Sequence, residues 1–298
     1  MNLIIITPFY NEENSIIKTI TSITKQNLHP IVWLMIDDNS DDSSPEIVKR
    51  YAIENSYIKY LKFESKDKKR ATGSNIVRLF NFGISFCKEN NIGWDIVLKL
   101  DADIVVDRID YLKFIIDKFD QYPNLGIASG VTYIKSPEDL NKIESKHKWH
   151  TQGPNKFYRK TCLEDIGGLK PFKGWDGIDD ILARNHGYLT EKFFEQPVLH
   201  LYPTQTRKSE GGVKSGLMRE AAGYNNMGYP AYMVFFKALK LAKSKGFNEG
   251  SLFLYYGMKA LMFDDSPISK DERKIVRKFM RKRLLNNIRY TNNKSPSV

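Results

Sequence analysis

Residues 96–103 read Ile96-Val97-Leu98-Lys99-Leu100-Asp101-Ala102-Asp103. A largely apolar run of strand length leads directly into two carboxylates spaced i, i+2. Such a run predicts a buried strand, and the acids mark the point where it leaves the core. The same pattern occurs twice upstream. Leu3-Ile4-Ile5-Ile6-Thr7 is an apolar, β-branched run ended by Pro8, and residues 31–36 form another, stopped by Asp37-Asp38-Asn39-Ser40. Ile16, Ile17, Ile20 and Ile23 follow helical spacing between them, with Asn14 placed to cap. Further helices are predicted over 42–54 (Pro45 in the first turn), 74–90 and 111–119, and further strands over 57–63 and 126–131. Strands alternating with helices over the first 130 residues imply βαβ units, hence an α/β fold with a mostly parallel central sheet. Ligands of such sheets bind beyond the carboxyl ends of the strands, where Thr7–Glu12, Asp37–Ser40 and Asp101–Asp103 all fall.

Composition narrows the class. The chain has 298 residues, 41% hydrophobic and 27% charged, as expected of a folded globular protein. Its two cysteines, Cys87 and Cys162, cannot form a disulfide framework and point to a reducing or indifferent compartment. The opening residues already read as a strand rather than a secretory signal. No apolar stretch reaches the ~20 residues of a membrane span. A cytoplasmic location follows as an expectation, with the inner face of the membrane as a place of work.

Charge is uneven. Residues 266–298 hold 10 Lys/Arg against 2 Asp/Glu, so most of the net charge of +11 lies there. Val276, Phe279, Met280, Leu284 and Ile288 recur at helical spacing, with Lys274, Arg277, Lys278, Arg281 and Lys282 in the gaps. A basic amphipathic helix of this kind can lie on an anionic membrane or pack on its own domain. Basic residues confined to the tail, without an interleaved aromatic RNA motif, argue against a nucleic-acid partner.

The carboxylates suggest chemistry. Asp101 and Asp103 could share Mg²⁺ or Mn²⁺, hard ions that bridge to substrate phosphates. Asp37 or Asp38 could accept N–H groups of a nucleobase, or shape an Asx turn and helix cap. Gly174-Trp175-Asp176-Gly177-Ile178-Asp179-Asp180 offers three acids, one of which could serve as a general base, and an indole able to face a sugar ring. The alternative is a polar start to a helix over 181–187, where negative charge is favoured. His200 lies in an apolar stretch, as core or as metal ligand. The other histidines lack zinc-site spacing. Residues 203–230, rich in glycine and polar groups, predict a loop, and 231–263 read as helical and aromatic.

Ile5-Ile6-Thr7-Pro8-Phe9-Tyr10-Asn11-Glu12, Met35-Ile36-Asp37-Asp38-Asn39-Ser40 and Leu98-Lys99-Leu100-Asp101-Ala102-Asp103 together resemble family 2 glycosyltransferases of the GT-A fold. Phe157-Tyr158-Arg159-Lys160-Thr161 through Gly167-Gly168-Leu169 resembles the segment that precedes that family's acidic base motif, and Asp179-Asp180 stands where the family has Glu-Asp or Asp-Asp. The resemblance covers residues 3–205. It implies an inverting, metal-dependent transfer of one sugar from a nucleotide-diphosphate donor, UDP-sugar before GDP-mannose, to a hydroxyl of a glycan or lipid-linked acceptor, with Mn²⁺ or Mg²⁺ as cofactor. Residue by residue, it implies that Thr7, Pro8, Tyr10 and Glu12 border the nucleoside. Asp38, with Asp37, would contact the base, and Asp101 and Ala102 would lie against the donor. Asp103 and Asp101, with His200, would hold the metal. Asp180 would be the base, supported by Asp179, with Trp175 and Asp176 at the acceptor. Arg207 and Lys208 would close over the diphosphate.

Processive relatives carry Gln-x-x-Arg-Trp, whereas Gln205-Thr206-Arg207-Lys208 lacks that spacing and the Trp, so single-sugar addition is expected. The expected domains are a catalytic unit over 1–215, divided near 130 into nucleotide and acceptor halves, and a helical basic extension over 216–298. A non-catalytic sugar-nucleotide or glycan binder on the same fold is the alternative, which intact acids oppose. A nucleotidyltransferase ranks lower, because Pro8-Phe9-Tyr10-Asn11-Glu12 replaces the basic, Gly-rich loop it would need.

Overall fold

The computed structural model describes residues 1–64, 74–134, 143, 148–202, 212–263 and 267–285. The nucleotide half begins β1 (Leu3–Phe9), α1 (Ile16–Thr24), β2 (Val32–Asp37), α2 (Ser44–Glu54), β3 (Ile58–Lys62), α3 (Ser74–Glu89) and β4 (Ile96–Leu100). β5 (Ile104–Val105), α4 (Tyr111–Gln121), β6 (Leu125–Tyr133), β7 (Asn155–Arg159), α5 (Lys160–Asp165), α6 (Trp175–Asn185) and β8 (Leu189–His200) follow. Helices α7 (Gly212–Asn226), α8 (Ala231–Lys245), α9 (Phe247–Phe263) and α10 (Lys270–Leu285) complete the chain. The sheet order is β3-β2-β1-β4-β7-β6-β8-β5. The first four strands are mutually parallel, and β7 enters antiparallel to both β4 and β6.

Both faces of the sheet are buried, which explains why its strands read as continuous apolar runs. Successive side chains point to opposite faces. Ile4 and Ile6 join one core with Val77, Leu79 and Phe80 of α3, while Leu3 and Ile5 join the other with Ile16, Ile20 and Ile23 of α1. Each fully buried Ile or Leu contributes about 1.5–3 kcal/mol. α3 sits so close to the sheet that a Cβ at Gly83 would come within 2.9 Å of Ile6 and 3.0 Å of Ile36. A larger side chain there would push the helix off its strands.

Two expectations change. α6 begins at Trp175 rather than near residue 181, because Gly174 (φ 101°) supplies the left-handed entry that an L-residue would resist. Within the stretch expected to be a loop, residues 212–226 form α7, whose Leu217 and Ala221 are buried with Val234, Ala238, Leu241 and Phe253. Tertiary packing there overrides the glycine content. The expected boundary at 215/216 lies within the span of α7. α10 returns to the catalytic body, where Val276 and Met280 are fully buried in its core and Phe279 meets Trp149 edge-on at 5.2 Å. Lys170 pairs with Glu272 at 2.8 Å along the same contact. Val276, Phe279 and Met280 of the basic tail helix thus pack on the protein itself, while Leu284 of the same helix is exposed. Ile288 lies outside the described residues.

Candidate active site

The ends of β1 and β2 are locked together before any ligand arrives. Asn11 (φ 51°) and Asn39 (φ 60°) turn the chain sharply after each strand, in the left-handed region that Asn tolerates. Asn11 donates from Nδ2 to Asp41 at 2.6 Å and accepts from the Asp41 N–H at 3.0 Å. Ser44 Oγ receives the Glu12 N–H at 2.8 Å, and Ser15 donates to Glu12 Oε2 at 2.7 Å. Pro8 is buried; Tyr10 and Glu12 stand half-buried at this edge.

The neighbouring acids of β2 divide their work. Asp37 accepts from Tyr60 OH and from the Ser40 N–H, each at 2.8 Å, so it shapes the turn. Asp38 accepts from Asn75 Nδ2 at 2.8 Å through one oxygen, while its buried Oδ1 has no partner among the described residues. Burial holds the Asp38 carboxyl above its ordinary value, against the Asn75 bond. An unpaired buried acceptor is costly, about 1–3 kcal/mol, and marks a place where a donor group is missing. Asp38 thus keeps an acceptor oxygen for a base contact, while both oxygens of Asp37 already accept hydrogen bonds. Thr7 is likewise structural: it is fully buried and accepts from Trp33 Nε1 at 2.9 Å.

At the end of β4 the two acids again differ. Asp101 pairs with Lys99, whose ammonium also donates to the Gly153 carbonyl at 3.0 Å. Ala102 is buried, with its carbonyl bonded to Thr19 Oγ1 at 2.8 Å. Asp103 lies beside His200, Oδ2 to Nε2 3.4 Å, because β5 pairs antiparallel with β8 and sets Ile104 opposite His200. A hard carboxylate oxygen and an imidazole nitrogen at this separation suit one Mn²⁺ or Mg²⁺ whose remaining positions go to phosphate and water. The described residues contain no group of three or more His, Cys, Asp or Glu side chains able to hold an ion alone. The fit is thus to a metal shared with a diphosphate.

The acidic motif at 176–180 is arranged differently from its expected roles. Asp179 and Asp180 lie inside the protein, 2% and 0% exposed. Lys156 is set opposite Lys99 in the β4–β7 register, and its ammonium lies 2.7 Å from Asp179 and 3.4 Å from Asp180. Tyr158 OH donates to Asp179 at 2.6 Å. Asp180 accepts from Thr151 N–H at 3.0 Å and Thr151 Oγ1 at 2.7 Å, and His150 Nδ1 lies 3.0 Å away. Burial pushes the Asp179 carboxyl up to about 6, beyond what Lys156 offsets. For Asp180 the same burial is outweighed by Lys156, His150 and Thr151, which hold it below the usual range. Burial lowers the Lys156 pKa, but the surrounding acids more than reverse this. This is a closed ion-pair network with no open face for a substrate hydroxyl. The structure places the expected base, Asp180, in the interior, because a helix that starts at Trp175 turns residues 179 and 180 toward β7.

Trp175 is also buried, 6% exposed, with Lys99 at 5.3 Å and Lys156 at 5.9 Å from its ring. Its ring packs against both lysines. Asp176 is half-buried, and no described residue hydrogen-bonds its carboxylate. A Cβ on Gly153 would sit 3.3 Å from Asp176 Oδ2, so this acid adjoins the segment that Lys99 ties to Asp101. Lys99 and Lys156 were not among the site residues expected from sequence. Their signal was a charge inside a buried strand, which survives only with a partner. Arg207 and Lys208 lie outside the described residues.

The parallel β3-β2-β1-β4 unit, with acids at the ends of β2 and β4 and an antiparallel β7, defines a GT-A fold. The glycosyl transferase family 2 model matches residues 4–173, and the chain belongs to that family. A poly-beta-1,6-N-acetyl-D-glucosamine synthase of Staphylococcus aureus is 27% identical over 137 residues, covering 46% of this chain. The match spans 30% of that relative's length. Among solved structures, the mannosyltransferase PcManGT of Pyrobaculum calidifontis, in complex with GDP-Man and Mn²⁺, is 19% identical, with a TM-score of 0.55 over 95% of this chain and 80% of that one. TarS 1-349 of S. aureus with UDP-GlcNAc is 15% identical, with a TM-score of 0.53 over 93% of this chain and 78% of that one. No helix among the described residues is long and apolar enough to cross a membrane.

Proposed function

We propose that the protein transfers a single sugar from a nucleoside-diphosphate donor to an acceptor hydroxyl with inversion, and that Asp176 is its general base. One observation carries the assignment: Asp176 adjoins the β4-end site with a carboxylate that no described residue hydrogen-bonds, whereas Asp179 and Asp180 are enclosed with Lys156. The base edge of the donor would complete Asp38 Oδ1, and a uracil or guanine N–H suits that acceptor. Family membership and the donors of the similar structures support UDP-sugar or GDP-mannose. Asp103 and His200, with help from Asp101, would hold Mn²⁺ or Mg²⁺, which would neutralise the departing diphosphate. In the reaction the acceptor oxygen bonds to the anomeric carbon as its proton passes to Asp176. The bond from that carbon to the phosphate oxygen breaks on the opposite face, and the nucleoside diphosphate leaves.

Thermal unfolding with UDP, GDP, CDP and ADP, each with and without Mn²⁺, tests this reading. At 100 times its Kd a ligand adds about 2.7 kcal/mol. In a chain of this size that raises Tm by roughly 5–11 °C. The expected result is a Mn²⁺-dependent shift with UDP or GDP. No shift with any nucleotide would overturn the proposal.

A further inference from the structure

Beside Asp176 lies a cavity of about 300 Å³. Its walls come from four places: Trp149 and His150 ahead of β7, Asp176 at the start of α6, Tyr229 in the α7–α8 turn, and Arg283 in the last turn of α10. The polypeptide thus brings its distant basic helix back to the acid proposed as base.

Arg283 is the permanent cation of this lining. Its guanidinium lies 5.3 Å from the Trp149 ring, half-buried, and makes no ion pair with any described residue. Trp149 is held in turn by Phe279, edge-on at 5.2 Å. The charge reaches the buried hydroxyls of Tyr224 and Tyr229, where it opposes the rise that burial imposes on both. A half-buried cation without an ion-pair partner is unfavourable, and a guanidinium held over an aromatic ring offers its planar fork to an oxyanion with two acceptor oxygens. The remaining charge of the cavity, Asp176, cannot serve as that partner if it must take a proton. Outside the cavity, Lys274, Arg277, Lys278, Arg281 and Lys282 are exposed along α10 and extend the positive field away from Arg283.

We infer that this cavity is the acceptor subsite and that it selects an acceptor carrying an anionic oxygen group, phosphate or carboxylate, seated on Arg283. The inference rests on the sugar-transfer reading. It assigns the basic face of α10 to guiding a charged acceptor, with Val276 and Met280 of the same helix buried in the body.

The test measures binding of matched pairs by ligand-detected NMR to the full chain: ribitol and ribitol 5-phosphate, glycerol and glycerol 3-phosphate, methyl glucoside and methyl glucuronide. The charged member of at least one pair should bind about 10- to 100-fold more tightly than its neutral partner. Arg283→Gln should abolish that difference, and Arg283→Lys should restore part of it, with the unfolding midpoint as the control for folding. Preference for the phosphates or for the glucuronide identifies the anion. Equal binding within every pair, or a preference that persists in Arg283→Gln, overturns the inference. So does binding to anionic phospholipid vesicles with no charged small molecule bound, which would give the basic face to a membrane. UDP binding measured on the same samples separates the two readings. A chain that binds UDP but ignores acceptor charge fails here alone, and one that binds no nucleotide fails the proposed function.

Discussion

Asp176 and Asp180 stand one helical turn apart on α6, yet they occupy opposite environments. Asp180 is fully buried, bonded to Thr151, with His150 and Lys156 close by, while Asp176 keeps a carboxylate that no described residue hydrogen-bonds. The same side chain is a structural ion in one place and a reagent in the other. What separates them is whether their oxygens are already occupied, which is how neighbouring carboxylates acquire different tasks. Asp37 and Asp38 repeat the lesson on adjacent residues: one closes a turn, the other retains an orphaned oxygen.

The sharpest way to break the first comparison is to neutralise each acid in turn. Asp176→Asn should lower kcat about 10²- to 10⁴-fold while the fold and nucleotide binding persist, read from initial rates at saturating donor. A folded Asp176→Asn enzyme of near-normal rate would return the role of base to another group. Lys156→Met should act on stability instead. It leaves Asp179 and Asp180 buried together without their cation, a loss of about 3–5 kcal/mol visible in denaturant unfolding. Little change in stability would mean that the network is not the structural ion cluster described.

The Asp37/Asp38 contrast predicts a smaller effect. Asp38→Ala should weaken UDP or GDP binding about tenfold by calorimetry, the equivalent of roughly 1.4 kcal/mol. Asp37→Ala should principally lower Tm. Equal effects of both on binding would erase the distinction. The smallest effect concerns pH. Asp179 titrates near 6 in the folded protein against 3.8 as the ordinary value. Its raised pKa favours the folded state below 3.8, and that contribution declines as pH rises through about 6. Asp180 is shifted the other way, so its contribution is present above 3.8 and is lost at more acid pH. The unfolding free energy of Asp179→Asn should therefore fall less than that of the wild-type chain between pH 4 and pH 7. Parallel curves would show that Asp179 does not titrate in that window.

Much of the fold was legible because its signals are local. Strand-length runs ending in Pro8, Asp37 and Asp101, separated by helical spacing, specify parallel units whose ends meet. Those ends also carry the donor-site candidates. The acceptor side was less legible. Gly174 allows α6 to begin at Trp175, and that shift turns Asp179 and Asp180 inward, a consequence invisible in residue order. α7 emerged from a glycine-containing stretch because α8 and α9 supply a surface for Leu217 and Ala221.

The amino-acid sequence alone determined the α/β architecture, the acids at the strand ends and the family resemblance, since periodicity and short-range spacing encode them. Tertiary structure alone decided which acids are free. Occupancy of a carboxylate depends on partners more than 20 residues away, such as Lys156 for Asp179 and Thr151 for Asp180. It also decided that α10 is a wall of the acceptor cavity, because the burial of Val276 and Met280 depends on the body they meet.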